Sequence, residues 1–390
     1  MANQDLISLS TVSSTFQHPA EAVLYATIDL NHWSYHLLPV LSWCRTVGSV
    51  PRKAHCVRAL RFPATFFNVS PRRTTDEIEQ LIKAAFDSMI NLKHLSFSEI
   101  NHNFPGTVGL STLADCRFRL SSLTGDTPRL HGARMESFLS AQPEIEYWSP
   151  SQNFLNSYSS TTPFPETILP RLRKAVIQDT TKLFLIGGRP IEYLLVTSTG
   201  YVENSDRLMG LKSFAETLHN FYYIHESVKD WSVAEFIACV AENAPRLVSL
   251  TVHERFHSRQ ITRIPRKDQD KLLDAIARLP RLETLVLSSY MDILSDSAPG
   301  SANEIMPSGT GSTSGGQESE LGMLQGRRVA GTFMAACRSL VKLSFPVISE
   351  RSWVTFLRCN MDDEGAIFDG FYMPDTVGWW KGHATRVRFT

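Results

Sequence analysis

The residues with the most chemically specific spacing are His253-Glu254-Arg255-Phe256-His257. They match H-E-x-x-H, in which two imidazoles one helical turn apart grip a zinc ion and the glutamate polarises the metal-bound water. The pattern works only on a helix, because i and i+4 must share a face. Here it runs straight out of Leu247 to Val252, whose apolar alternation is that of a strand. On a strand the two imidazoles stand about 13 Å apart, at roughly 3.3 Å per residue, too far to share one ion. Glu283, the one candidate third ligand, falls in a Pro-Arg-Leu-Glu-Thr-Leu turn. A zinc hydrolase using His253 and His257 is the remote alternative, and no metal or other cofactor is expected.

Other reactive-looking groups reduce to surface or linker. Gly309-Thr-Gly311-Ser-Thr-Ser-Gly315-Gly316 has the glycines of a phosphate cradle but neither the flanking strand and helix nor the following lysine. Asp362-Asp363-Glu364 are adjacent acids that point different ways and read as a solvated loop. Arg72-Arg73 and Arg327-Arg328 are isolated basic spots, short of a groove that tracks a phosphate backbone. No G-x-S-x-G elbow or cysteine–histidine nucleophile pair occurs, so the chain reads as a non-enzyme.

Composition narrows the partners. The 39 basic and 39 acidic residues cancel, which removes the bulk electrostatic case for nucleic acid or an anionic membrane. The opening MANQDLISLSTVSSTF lacks the basic and apolar regions of a secretory signal, and no apolar run approaches the ~20 residues that span a bilayer. The six cysteines are scattered singly, as reduced buried thiols would be. A soluble cytoplasmic or nuclear protein is expected.

The elements that must position a surface are written in a recurring phrase. Leu92-Lys-His-Leu95-Ser-Phe97, Leu247-Val-Ser-Leu250-Thr-Val252, Leu282-Glu-Thr-Leu285-Val-Leu287 and Leu340-Val-Lys-Leu343-Ser-Phe345 all read apolar-x-x-apolar-x-apolar. Val57, Leu60 and Phe62 repeat it, as do Ile191, Leu194 and Val196. The last two apolar positions have the period of a strand buried on one face. A helical stripe precedes each phrase: Ile78, Leu81, Ile82, Ala85, Phe86 and Met89 before Leu92, and Leu272, Leu273, Ile276 and Leu279 before Leu282. Thr74 with Glu77, and Ser232 with Glu235, are capping boxes. Pro245 and Pro280 stop the helix two residues before the phrase. Two successive anchors, Val57/Leu92 and Leu247/Leu282, lie 35 residues apart, while Ile145/Trp148 and Leu172/Ile177 look like degenerate copies.

Helix–turn–strand units that bury each other's faces predict an α/β solenoid, an irregular leucine-rich-repeat-like horseshoe with a parallel sheet on its concave side. A single solenoid domain is expected over 22–390. It carries a disordered Gly/Ser-rich insertion at 295–326 and a C-terminal cap at 365–390, where Trp379 and Trp380 would pack with Phe371 and Tyr372. Residues 1–21 are expected to be poorly ordered.

These L-x-x-L-x-L phrases resemble an irregular leucine-rich-repeat array. The opening, with Leu24-Tyr25-Ala-Thr-Ile28-Asp29-Leu30 followed by His55-Cys-Val57-Arg-Ala-Leu60-Arg-Phe62, resembles fungal F-box/leucine-rich-repeat-like proteins. That resemblance implies a protein-capturing repeat domain and, in a longer chain, the substrate-recognition subunit of a cullin-type ubiquitin ligase docked on a Skp-type adaptor. An F-box takes roughly 40 to 50 residues of helical bundle, whereas about 20 polar residues precede Leu24. The expectation is that the F-box is lacking, leaving a protein-binding scaffold.

Its surface would be the x positions of each phrase, which leave the core by strand alternation. They are Arg61, His94, Ser96, Ser98, Ser249, Thr251, His253, Thr284, Ser288, Lys342 and Ser344. Small and polar for the most part, they suit an extended protein interface better than a deep pocket.

Overall fold

The computed structural model describes residues 3–31, 37–63, 75–97, 113–125, 133–151, 155, 162–198, 205–226, 232–255, 263–264, 266–287, 290–291, 315–347, 352–358 and 367–368. The chain divides into two compact units where one domain was expected. The first comprises 1–178, 184–191 and 377–390, and the second 179–183 and 192–376.

In the first unit, β1 (Thr27–Asp29), β2 (Ala59–Phe62), β3 (His94–Phe97), β4 (Ser122–Gly125), β5 (Tyr147–Pro150) and β6 (Lys174–Ile177) pair in sequence order, all parallel. Register stacks the middle residue of each phrase: Ile28, Leu60, Leu95, Leu123, Trp148 and Ala175 form one inward column. From Leu60 on, that column is 2% exposed or less. The aromatic rings Phe62, Phe86, Phe97 and Phe118 pack behind it, with Phe62 5.5 Å from Phe86 and 6.5 Å from Phe97. In the second unit, β7 (Tyr193–Ser198), β8 (Asn220–Glu226), β9 (Ser249–Arg255), β11 (Thr284–Leu287) and β13 (Lys342–Val347) are again parallel neighbours. The antiparallel strands β14 (Ser352–Arg358) and β15 (Ile367–Phe368) follow. A separate parallel pair joins β10 (Arg263–Ile264) to β12 (Tyr290–Met291). The α/β solenoid of stacked strand units read from the sequence is the fold of each unit.

The phrase works through its turn. Its first apolar residue donates its N–H to the carbonyl three residues earlier: Val57 to Ala54, Leu92 to Met89, Leu247 to Ala244, Leu282 to Leu279 and Leu340 to Cys337. Proline occupies the second turn position at Pro143, Pro170, Pro245 and Pro280, where its fixed φ suits a tight turn. One carbonyl of each turn then accepts two successive N–H groups from the next repeat. Lys93 and His94 share the Arg58 oxygen at 2.8 and 3.0 Å, and Glu283 and Thr284 share that of Val248 at 2.8 and 3.0 Å. The repeated turn therefore sets the register, and hydrophobic burial holds it.

Helices supply the opposite layer where the repeat is long. α1 (Asn3–Val12), α2 (Ser14–Ala26), α3 (Leu37–Ser49), α4 (Pro51–Cys56), α5 (Thr75–Ser88) and α6 (Ala133–Ser140) lie in the first unit. α7 (Val233–Asn243), α8 (Arg266–Ala277) and α9 (Gly315–Ala336) lie in the second. The expected stripe on α5 is buried at Ile78, Ile82, Ala85 and Phe86, with Met89 just past its end, while Leu81 is half-buried. Ser232 caps α7 by accepting from the Glu235 N–H at 3.3 Å, whereas Thr74 lies outside the described residues. Between β6 and β8 the phrases begin 19 and 27 residues apart, at Leu172, Ile191 and Leu218. Among the described residues those spans hold 3₁₀ turns, Thr180–Ile186 and Ser205–Phe214, in place of an α-helix.

Two expectations need correction, and a third falls largely outside the described residues. Within the expected poorly ordered stretch, 3–21 is ordered and folds into α1 and most of α2. Ser13 caps α2, and buried Glu21 pairs with Arg52 at 2.9 Å, which ties the helix down. The disordered insertion does not reach 326, because α9 starts at Gly315 in a stretch rich in Gln, Glu, Leu and Met, all good helix formers. Residues 295–314 lie outside the described ones. In the expected cap at 365–390 only β15 is described, and Phe371, Tyr372, Trp379 and Trp380 lie outside. The five described cysteines, Cys44, Cys56, Cys116, Cys239 and Cys337, are free and buried. Among the described residues no helix is long and apolar enough to cross a membrane.

Candidate binding surface

Strand alternation turns the x positions of each phrase away from the core, and the parallel register lines them up in rows. In the first unit one row runs Thr27, Ala59, His94, Ser122, Tyr147 and Lys174. The next holds Asp29, Arg61, Ser96, Thr124 and Ser149. Apart from Ala59, which is 2% exposed, all of these are half-buried: open to a partner yet held by neighbours. His94 Nδ1 lies 2.9 Å from Ser122 Oγ across the β3–β4 rung. Burial, aided by the adjacent Lys93 charge, pushes the His94 imidazole below its usual value, so at pH 7 it is neutral. Arg61 faces Asp29 at 3.6 Å, and Lys93 donates to Glu144 at 3.1 Å. The Tyr147 phenol is raised by burial, against a hydrogen bond with Ser149 that lowers it.

Ser122, Thr124, Tyr147, Ser149 and Lys174 were not singled out in the sequence, and their repeats show why. Leu120-Ser-Ser-Leu123-Thr-Gly125 is a full phrase whose third apolar position is glycine. Gly125 has φ +84°, and a Cβ there would sit 1.9 Å from the Phe97 carbonyl oxygen. Among the described residues the only helical segment leading into it is the short 3₁₀ turn Leu113–Asp115. Instead the fully buried Gln142 side chain accepts from Leu120 N–H at 2.8 Å and donates to the Phe118 carbonyl at 3.1 Å. Leu218-His-Asn-Phe221-Tyr-Tyr223 was passed over for the same kind of reason, aromatic residues standing where leucine was sought. The available signal was the three-residue lead followed by period two, whatever the apolar type.

In the second unit the corresponding rows are Tyr193, Asn220, Ser249, Thr284 and Lys342, then Leu195, Tyr222, Thr251, Val286 and Ser344. The first row is half-buried throughout. The second is largely closed, with Leu195 3%, Tyr222 4%, Val286 4% and Ser344 0% exposed. Desolvation pushes the Tyr222 phenol up to about 12. Ser344 therefore does not belong to an accessible surface: its hydroxyl pairs with Thr355 Oγ1 at 2.8 Å, satisfied inside the protein. Thr251 and His253 remain half-buried, and register sets Thr284 between Ser249 and Lys342. Ser98, Ser288 and His257 lie outside the described residues.

His253 lies within strand β9, so it lacks the helical backbone that an H-E-x-x-H zinc site requires. Among the described residues no three His, Cys, Asp or Glu side chains gather as a metal site.

No protein-family profile matches the chain, and no curated protein matches it in sequence. Solved structures with a similar chain course include the TLR13–ssRNA13 complex, at 13% identity, TM-score 0.37 and coverage of 61% of this chain and 30% of that one. The leucine-rich-repeat-containing protein LegL7 from Legionella pneumophila matches at 14% identity and TM-score 0.42, over 82% of this chain and 90% of that one. A protein from Bacteroides fragilis matches at 10% identity and TM-score 0.36, over 64% of each chain. The chain thus spans under a third of the TLR13 structure.

Proposed function

We propose that the protein is a non-enzymatic scaffold that binds a protein partner on the outward face of its parallel strands. The observation that carries this reading is the pair of half-buried polar rows in the first unit, whose hydroxyl, imidazole, guanidinium and ammonium groups sit one strand apart. Such rows offer many shallow hydrogen-bonding sites across neighbouring strands, the geometry of an extended interface. The test is affinity capture with the full chain beside an Arg61→Ala/His94→Ala/Lys342→Ala variant. A partner bound through the strand face is lost from the variant. Equal recovery of the same proteins on both defeats the assignment.

A second reading, substrate recognition for a cullin-type ubiquitin ligase, is favoured by α1 and α2. Ile7, Phe16 and Val23 on these helices are 47%, 53% and 61% exposed, apolar surface of the kind that docks on another protein. Pull-down of a purified Skp-type adaptor by the full chain tests it, and no binding at micromolar concentration ends it.

A further inference from the structure

We infer that the partner-binding function resides in the first unit and that its ligand is an extended acidic polypeptide segment. This rests on the scaffold reading above and narrows it. Two independent features of the strand faces separate the units. The first is access: Arg61, Ser96, Thr124 and Ser149 are half-open, whereas Leu195, Tyr222, Val286 and Ser344, at the matching positions of the second unit, are buried. A partner crossing several strands therefore meets a second row of open polar side chains only on the first unit.

The second is charge. In the first unit the strand openings and the turns that lead into them are 56–61, 91–96, 119–124, 144–149 and 171–176. Together with 24–29, which opens β1, they carry seven basic residues against three acidic ones, Asp29, Glu144 and Glu146. The matching stretches of the second unit, 192–195, 217–222, 246–251, 281–286 and 339–344, carry three against two. The excess extends to the whole unit: the neutral chain divides into 20 basic and 14 acidic residues in the first unit, and 19 and 25 in the second. Arg58, Arg119, Arg171 and Arg173 are exposed, and Lys93 and Lys174 half-buried. Guanidinium and ammonium groups spread over strands about 4.8 Å apart suit discrete carboxylates on an extended chain. Ser96, Ser122, Thr124 and Ser149 supply hydroxyls for its backbone.

The test pans a phage-displayed random dodecapeptide library on the immobilised full chain and measures the enriched peptides by fluorescence anisotropy. Sequences rich in Asp and Glu are expected. Their affinity should fall by about tenfold or more in Arg58→Glu/Arg173→Glu/Lys174→Glu and by less than about twofold in Arg246→Glu/Arg281→Glu, with circular dichroism confirming that both variants fold. Neutral or basic consensus peptides overturn the inference. So does loss confined to the second-unit variant, or tighter binding to single-stranded oligouridylate than to any peptide. If peptides enrich but bind through the second unit, the scaffold reading stands and only this inference falls. If no peptide enriches and Arg61→Ala/His94→Ala/Lys342→Ala captures the same proteins as the native chain, both fall.

Discussion

Gln142 joins the Leu120–Gly125 repeat to the rest of the first unit, and replacing it with leucine isolates that contribution. The side chain is fully buried and holds two main-chain groups, Leu120 N–H at 2.8 Å and the Phe118 carbonyl at 3.1 Å. Leucine has similar volume and leaves no large cavity, so the loss is polar. Each main-chain group left buried without a partner costs about 1–3 kcal/mol. Returning part of that through better burial of an apolar side chain leaves a net destabilisation of about 2–4 kcal/mol. With a urea slope of about 2 kcal/mol/M, the midpoint of the first unit's transition should fall by roughly 1–2 M. Because two units need not unfold together, the decisive assay is local: hydrogen exchange followed by mass spectrometry over residues 116–125. Gln142→Leu should lose protection there while β7 to β9 keep theirs. A midpoint within about 0.3 M of the native chain, with unchanged exchange over 116–125, refutes the idea that this side chain completes the repeat.

Two further outcomes follow from the same face. Gly125→Ala forces a Cβ against the Phe97 carbonyl at a backbone conformation of φ +84°, so the β3–β4 edge must shift. A loss of about 2 kcal/mol or more in urea unfolding is expected, with weaker peptide binding by the shifted Thr124 row. His94 has its pKa below the ordinary 6.5, so the unfolded chain takes up a proton before the folded one does. Its stabilising contribution is complete above pH 6.5 and is lost as pH falls through the folded value. Melting temperatures at pH 7.5 and 5.5 should differ more for the native chain than for His94→Gln, and equal differences would contradict the assignment.

The repeat was legible because it is written in covalent spacing. Leu92, Leu95 and Phe97, or Leu282, Leu285 and Leu287, place one turn and one buried strand face wherever they occur, and proline at 245 and 280 marks the turn by its fixed φ. Repeats whose apolar positions hold glycine, tryptophan or tyrosine were hidden or blurred, since burial selects for volume and polarity and not for leucine. Ser232 announced its own helix because capping is local. The order of residues 3–21 was not legible. Leu6 and Ala20 gain burial, and Glu21 gains Arg52, only when distant segments come together.

Sequence by itself determined the unit of the fold: which residues turn, which pair as strands, and which side chains leave the core. It also placed Arg61, His94, Thr284 and Lys342 on the outward face, because strand alternation is a property of the backbone. What tertiary structure alone decided is which outward positions remain open. Ser96 and Ser344 occupy the same place in their phrases, yet one is half-exposed and the other buried against Thr355 of an antiparallel strand. Accessibility depends on what packs above a strand, and that is fixed by long-range assembly that no local pattern encodes.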